Sequence, residues 1–172
     1  MPASIFPIPA SSGSSVPNWT LVTSSTPSGV ATVTFSGLSG YAKYRIVIPG
    51  ITLASASNLN VRLNADSAAN YSHGFSGSTN TSTFFGTSSI GSTNFTIGNA
   101  QVTATVIGLT LEIDNCLVLV PKTANGTMFN GSGGTCKFDG AYQTTSLITS
   151  ITVTNTATAN FTAGSIYLEG AN

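Results

Sequence analysis

The feature that most constrains this chain is alternation. Apolar side chains recur at every second position in run after run, and no stretch shows the i, i+3, i+4, i+7 recurrence of a helix. From Gly40 to Tyr71 the chain reads GYAKYRIVIPGITLASASNLNVRLNADSAANY. Tyr44, Ile46 and Ile48 fall on one face of a strand, and Leu59, Val61 and Leu63 on one face of the next, with Asn60, Arg62 and Asn64 opposite. This is the pattern of a sheet with one face buried. Lys43, Arg45 and Arg62 are three of only 5 basic residues. Arg45 and Arg62 point away from the apolar side, and the stretch closes in a polar turn over Asn64, Ala65, Asp66 and Ser67.

The same period recurs along the chain. Trp19 to Thr23 opens the series, and Val33 and Phe35 form the inward set of Val30 to Ser36. Ile107, Leu109, Leu111 and Ile113 alternate within Gln101 to Asp114, which predicts a central strand. The apolar run Leu117 to Val120 reads as a further strand stopped by Pro121. Thr135 to Tyr142, the alternating run Leu147, Thr149, Ile151, Val153, and Phe161 to Leu168 complete the series. Between Tyr71 and Gly98 the pattern loosens into a long exposed loop with short strands near Thr83 to Phe85 and Asn94 to Ile97, and Lys122 to Gly134 reads as a second loop around Met128 and Phe129. About eight to ten such runs predict an all-β fold, an antiparallel two-sheet sandwich of jelly-roll type. With 172 residues the chain suits one domain, placed at residues 18–172. Residues 1–17 (MPASIFPIPASSGSSVP) read as an extended arm, because prolines and a Ser/Gly cluster disfavour helix and paired strand alike. Ile5, Phe6 and Ile8 either dock on another subunit or partner protein, or fold back on their own domain.

Charged residues make up 6% of the chain, against roughly 25% in ordinary soluble proteins, and acids balance bases. That balance offers no electrostatic footprint for nucleic acid or an anionic membrane surface. No run reaches the roughly 18 apolar residues of a membrane-spanning helix, and the N-terminus lacks the basic-then-apolar pattern of a signal peptide. Cys116 and Cys136 lie outside any CxxC spacing and read as two small buried thiols or as one disulfide.

Chemical motifs are sparse. The single histidine, His73, has no GxSxG elbow to accompany it. Glu112 and Asp114 share a strand face at a separation that would suit a glycosidase pair, but the same arrangement is ordinary for a solvent-facing strand. Zinc spacing is absent, and Asp66 among Asn64, Ser67 and Asn70 has too few carboxylates for a calcium loop. No catalytic residue, metal or cofactor is assigned. Tyr71, His73, Phe75, Phe84, Phe85 and Tyr142, read in or near loops, are candidates for contact with a glycan or a partner; the other reading is that they pin those loops to the sandwich.

The order GYAKYRIVIPGI, LNVRLNADSAANY and, near the C-terminus, AGSIYLEG resembles β-sandwich domains at the ends of bacteriophage tail fibres and on other virion surfaces, over about Trp19 to Asn172. The resemblance implies a non-enzymatic virion component, homotrimeric and assembled in the bacterial cytoplasm. Its partner would be the major capsid protein or a fibre or tail protein. Fibres of this kind carry a long stem before the domain, whereas here a short arm precedes Trp19. The first expectation is therefore a capsid decoration or cement protein or a short head fibre held by its arm, and the second a tail-fibre tip that binds host surface glycans.

Overall fold

The computed structural model describes residues 17–79, 81, 83–98 and 104–172; Ile5, Phe6 and Ile8 of the expected arm lie outside them. The described residues form β1 (Thr20–Ser25), β2 (Val33–Ser36), β3 (Lys43–Ser57), β4 (Leu59–Leu63), β5 (Tyr71–Ser78), β6 (Phe84–Ser92), β7 (Phe95–Ile97), β8 (Ala104–Ile113), β9 (Lys122–Asn130), β10 (Thr135–Tyr142), β11 (Ser150–Asn155) and β12 (Phe161–Ala171). All pairings are antiparallel. One sheet has the order β1-β12-β3-β8-β9-β10-β5-β6 and the other β2-β11-β4-β7. Setting aside the hairpins β5–β6 and β9–β10 leaves β1-β12-β3-β8 facing β2-β11-β4-β7, the two wrapped Greek keys of a jelly roll. Both hairpins extend the same sheet.

Alternation places the core. Tyr44, Ile46 and Ile48 of β3 are buried, as are Leu59, Val61 and Leu63 of β4. The two segments do not pair with each other; they belong to opposite sheets and face across the interior. Ile107, Leu109, Leu111 and Ile113 of β8 complete the inward row of the larger sheet, and Ile151 and Val153 of β11 that of the smaller. β3 is long enough that its period must be reset. Its register slips between Ile48 and Ile51, at Pro49 and Gly50, so that Ile51 and Leu53 again point inward. Opposite this bulge sits Gly164 at φ 105°, where a Cβ would lie 2.3 Å from the Gly50 carbonyl oxygen.

Three expected segments differ. Tyr71 to Gly98 is strand over most of its length, since β5 turns Tyr71, His73 and Phe75 inward and β6 needs only backbone pairing with β5. Lys122 to Asn130 is also strand: Lys122, Ala124, Met128 and Asn130 alternate inward, a period hidden by the polar residues that carry it. The apolar run Leu117 to Val120 is instead a turn with bends, exposed throughout, and no described strand pairs with it. Cys116 and Cys136 are both buried and free, one beyond the end of β8 and the other near the opposite end of the sandwich in β10. Burial pushes the thiols up to about 12 and about 11, which keeps them protonated and unreactive.

The alternation makes a direct prediction on one strand. Leu111→Ala, at an inward position with 0% exposure, should cost about 2–5 kcal/mol in urea denaturation. Its neighbour Thr110→Ala on the outer face should change stability by no more than about 0.5 kcal/mol.

Candidate functional site

The strands run between two poles. Thr20 pairs with Gly170 and Lys43 with Ala171, so the chain enters the described structure at the pole where β8 ends and β9 begins. Backbone hydrogen bonds knit this pole together: Cys116 N–H donates to Ala42 O (2.8 Å), Ile148 N–H to Cys116 O (3.1 Å) and Leu38 N–H to Thr149 O (3.0 Å). Asn64, at φ 54°, closes the β4 end of the same pole, donating to Leu147 O at 2.7 Å and accepting from Thr149 N–H at 2.8 Å.

On this pole stand exposed apolar side chains that the sequence pattern places in strands. Leu117, Val118, Leu119 and Val120 are 40%, 48%, 71% and 42% exposed, and Leu147 is 42% exposed. What holds the loop is Lys122. Its position in β9 turns it inward, its side chain is fully buried, and its Nζ donates to the carbonyls of Val118 and Val120, each at 2.6 Å. Burial pulls the lysine below its ordinary range, and the two carbonyl dipoles offset part of that cost. A polar anchor inside thus fixes four apolar side chains outside. Sequence alone misses this arrangement, because a lysine at an inward strand position resembles one at an outward position.

Beside the pole, on the outer face of the larger sheet, half of the chain's ionised side chains gather in ion pairs. Lys43 meets Asp114 at 2.7 Å, and Arg45 donates to Glu169 at 2.7 Å and lies 3.8 Å from Glu112. The Asp114 carboxylate, by hydrogen bond and charge, holds the Lys43 amine above its usual range. Trp19 stacks on the Arg45 guanidinium at 4.3 Å, which fixes where the chain arrives. Glu112 and Asp114 are therefore ion-pair partners in this geometry. Asp66 is likewise satisfied by donors: Asn70 Nδ2 and the Ala68 N–H reach it at 2.8 Å each, and Tyr142 OH at 2.9 Å. These hydrogen bonds, Asn70 and Ala68 foremost, hold its carboxyl below the usual range. Among the described residues no three His, Cys, Asp or Glu side chains come together as metal ligands.

The six candidate contact aromatics separate into two groups. Tyr71, His73, Phe75 and Tyr142 stand on inward strand positions and are 0%, 7%, 9% and 1% exposed, which corrects their placement in loops. Tyr71 links the two sheets, its OH donating to Leu63 O (3.1 Å) and accepting from Leu63 N–H (2.9 Å). His73 stacks on Phe138 (5.7 Å) and Phe75 (6.4 Å), its Nδ1 has no partner, and desolvation pulls its pKa down. Phe84 is 86% exposed, and Phe85 is half-buried against Phe75. With Met128, Phe129 and Lys137 they line a groove near the second pole. Phe129 also lays its ring over Gly108, where a Cβ would lie 2.0 Å from it. No protein-family model matches the chain, and no curated protein or solved structure is significantly similar to it.

Two outcomes follow from the buried polar groups. The folded pKa of His73 lies below the 6.5 of an exposed imidazole, so the unfolded chain binds its proton first. Stability is then fully present above about pH 6.5 and declines as the pH falls below it. His73→Phe should flatten the melting temperature between about pH 6.5 and 5 while costing no more than about 1.5 kcal/mol at neutral pH. Lys122→Met should leave the sandwich folded but strip two donors from the loop. Amide exchange at 117–120 should then rise at least about tenfold, with protection in β3 and β8 unchanged.

Proposed function

We propose that the chain is a non-enzymatic structural subunit of a bacteriophage particle, a capsid decoration or cement protein or a short head fibre. It is held to its partner by the pole at which residues 1–17 join the sandwich. The observation that carries this reading is the exposed apolar loop Leu117 to Val120, braced by buried Lys122, at the pole where Pro17 leads into Trp19 and β1. A solvent-facing loop with no role in binding gains nothing from four large apolar side chains or from a buried amine that fixes their carbonyls. Near-absent net charge supports the reading, since a surface meant to be covered by neighbours has little need of charge for solubility. The virion assignment itself rests on the sequence resemblance.

A second reading, a tail-fibre tip that binds host surface glycans, is favoured by the groove lined by Phe84, Phe85 and Phe129 and rimmed by Ser76, Thr127 and Thr135. Exposed rings beside hydroxyls suit the apolar face and polar edge of a sugar.

Particle composition separates the two. Leu119→Asp alters an exposed side chain and should leave folding intact. Incorporation into particles, measured by mass spectrometry of purified virions, should fall at least about tenfold, as expected when a charge is buried in an apolar contact. Normal copy number in that variant, with glycan-array binding lost in Phe85→Ala, would replace the first reading by the second.

A further inference from the structure

Four strands form the sheet edges among the described residues, and three are blunted. β2 and β7 are four and three residues long, and β1 carries a register shift between Leu21 and Thr23. β6 differs. It runs nine residues, FFGTSSIGS, with no charge and no proline, and no described strand other than β5 pairs with it. Lysines, prolines, bulges and short length are the usual devices that keep a sheet edge from templating another strand, and β6 has none of them over Ser72 to Ser78 of its partner.

The outer face of this edge has its own pattern. Cross-strand partners share a face, so the pairs Phe84 with Ser78, Gly86 with Ser76, Ser88 with Gly74 and Ile90 with Ser72 place Phe84, Gly86, Ser88 and Ile90 together on the outside. Their direct partners on β5 are serines and a glycine, which offer a phenyl ring or an isoleucine little apolar surface. Phe84 and Ile90 are accordingly 86% and 88% exposed, the two most exposed large apolar side chains described. Read in either direction the outer row has the same form: bulky, small, small, bulky.

We propose that β6 is a homodimer edge, pairing antiparallel with β6 of a second copy about a two-fold axis through Thr87. In this register Phe84 lies opposite Ile90 of the other copy, Gly86 opposite Ser88, and the same contacts repeat on the far side of the axis, as an isologous interface requires. The outward N–H and C=O groups of each edge find partners, and two Phe–Ile pairs cover side chains whose cross-strand neighbours in β5 are serines. Two identical strands without charge meet with no like-charge penalty, and the whole chain is neutral. Such an edge contact falls below the roughly 1,200 Å² of standard stable interfaces. The dimer is therefore weak in dilute solution and suited to joining neighbouring copies already held at high local concentration. This inference stands on the edge alone and does not depend on what the pole with Leu117 to Val120 binds.

Sedimentation equilibrium of the full chain should show a reversible monomer–dimer exchange with Kd on the order of 10–100 μM, the weak end of specific association. Ile90→Lys, and separately Ser88→Lys, alter exposed edge positions and should weaken it at least about tenfold without moving the melting temperature. The register is read by cysteines. Under mild oxidation an equimolar mixture of the Phe84→Cys and Ile90→Cys single variants should give a disulfide-linked heterodimer, while neither variant alone cross-links. A chain that remains monomeric at millimolar concentration, a dimer indifferent to Ile90→Lys, or cross-linking of Phe84→Cys to itself would each overturn the proposal. So would loss of the dimer in Ile5→Asp with Phe6→Asp, which would give the edge to residues 1–16 of a neighbour. A trimer unaffected by both lysine substitutions would do the same.

Discussion

The molecule depends on the contact between two rows of side chains that approach from opposite sheets. One row is contributed by β3 and β8, the other by β4 and β11, and nearly every large residue in them is withdrawn completely from water. At roughly 25 cal/mol per Å² of apolar surface buried, this contact outweighs any other favourable term in a chain with so few ions. It also fixes register, because a slip of one residue in any strand would turn its whole inward set to solvent. The bulge at Pro49 and Gly50 illustrates the constraint: the strand gives up regular pairing at one point so that Ile51 and Leu53 stay inside.

The fold was legible where large apolar residues carried the period. β2, β3, β4, β8, β10, β11 and β12 follow from reading every second position, and so does the sandwich. Legibility failed in two physical circumstances. In β5, β6 and β9 the alternation is carried by His73, Lys122, Asn130, serines and glycines, which read as loop by composition although the backbone pairs fully. In Leu117 to Val120 the reverse holds, since hydrophobicity alone cannot make a strand without a neighbouring edge to receive it. The same two failures displaced the candidate site. The aromatics Tyr71, His73, Phe75 and Tyr142 proved to be core, while the apolar surface that faces outward is built by a loop whose organiser, Lys122, sits two to five positions from the residues it orders.

Charge is scarce, and its distribution divides the surface into regions with different properties. Lys43 and Arg45 pair with Glu112, Asp114 and Glu169 within one patch on the outer face beside the entry point of the chain. The β6 edge and the loop over Lys122 carry no ionised side chain at their surface. The exposed apolar side chains concentrate away from the ion pairs, on the loop over Lys122 and along β6 with its neighbouring groove.

All five basic residues lie within strands, Lys43 and Arg45 in β3, Arg62 in β4, Lys122 in β9 and Lys137 in β10. A protease that cleaves after lysine or arginine must draw several residues of its substrate into an extended, unpaired conformation, which these strands do not offer while their ladders are intact. Tryptic cleavage of the intact domain therefore waits on the opening of strands rather than the fraying of loops. The rate of digestion becomes a gauge of how often the sandwich comes apart.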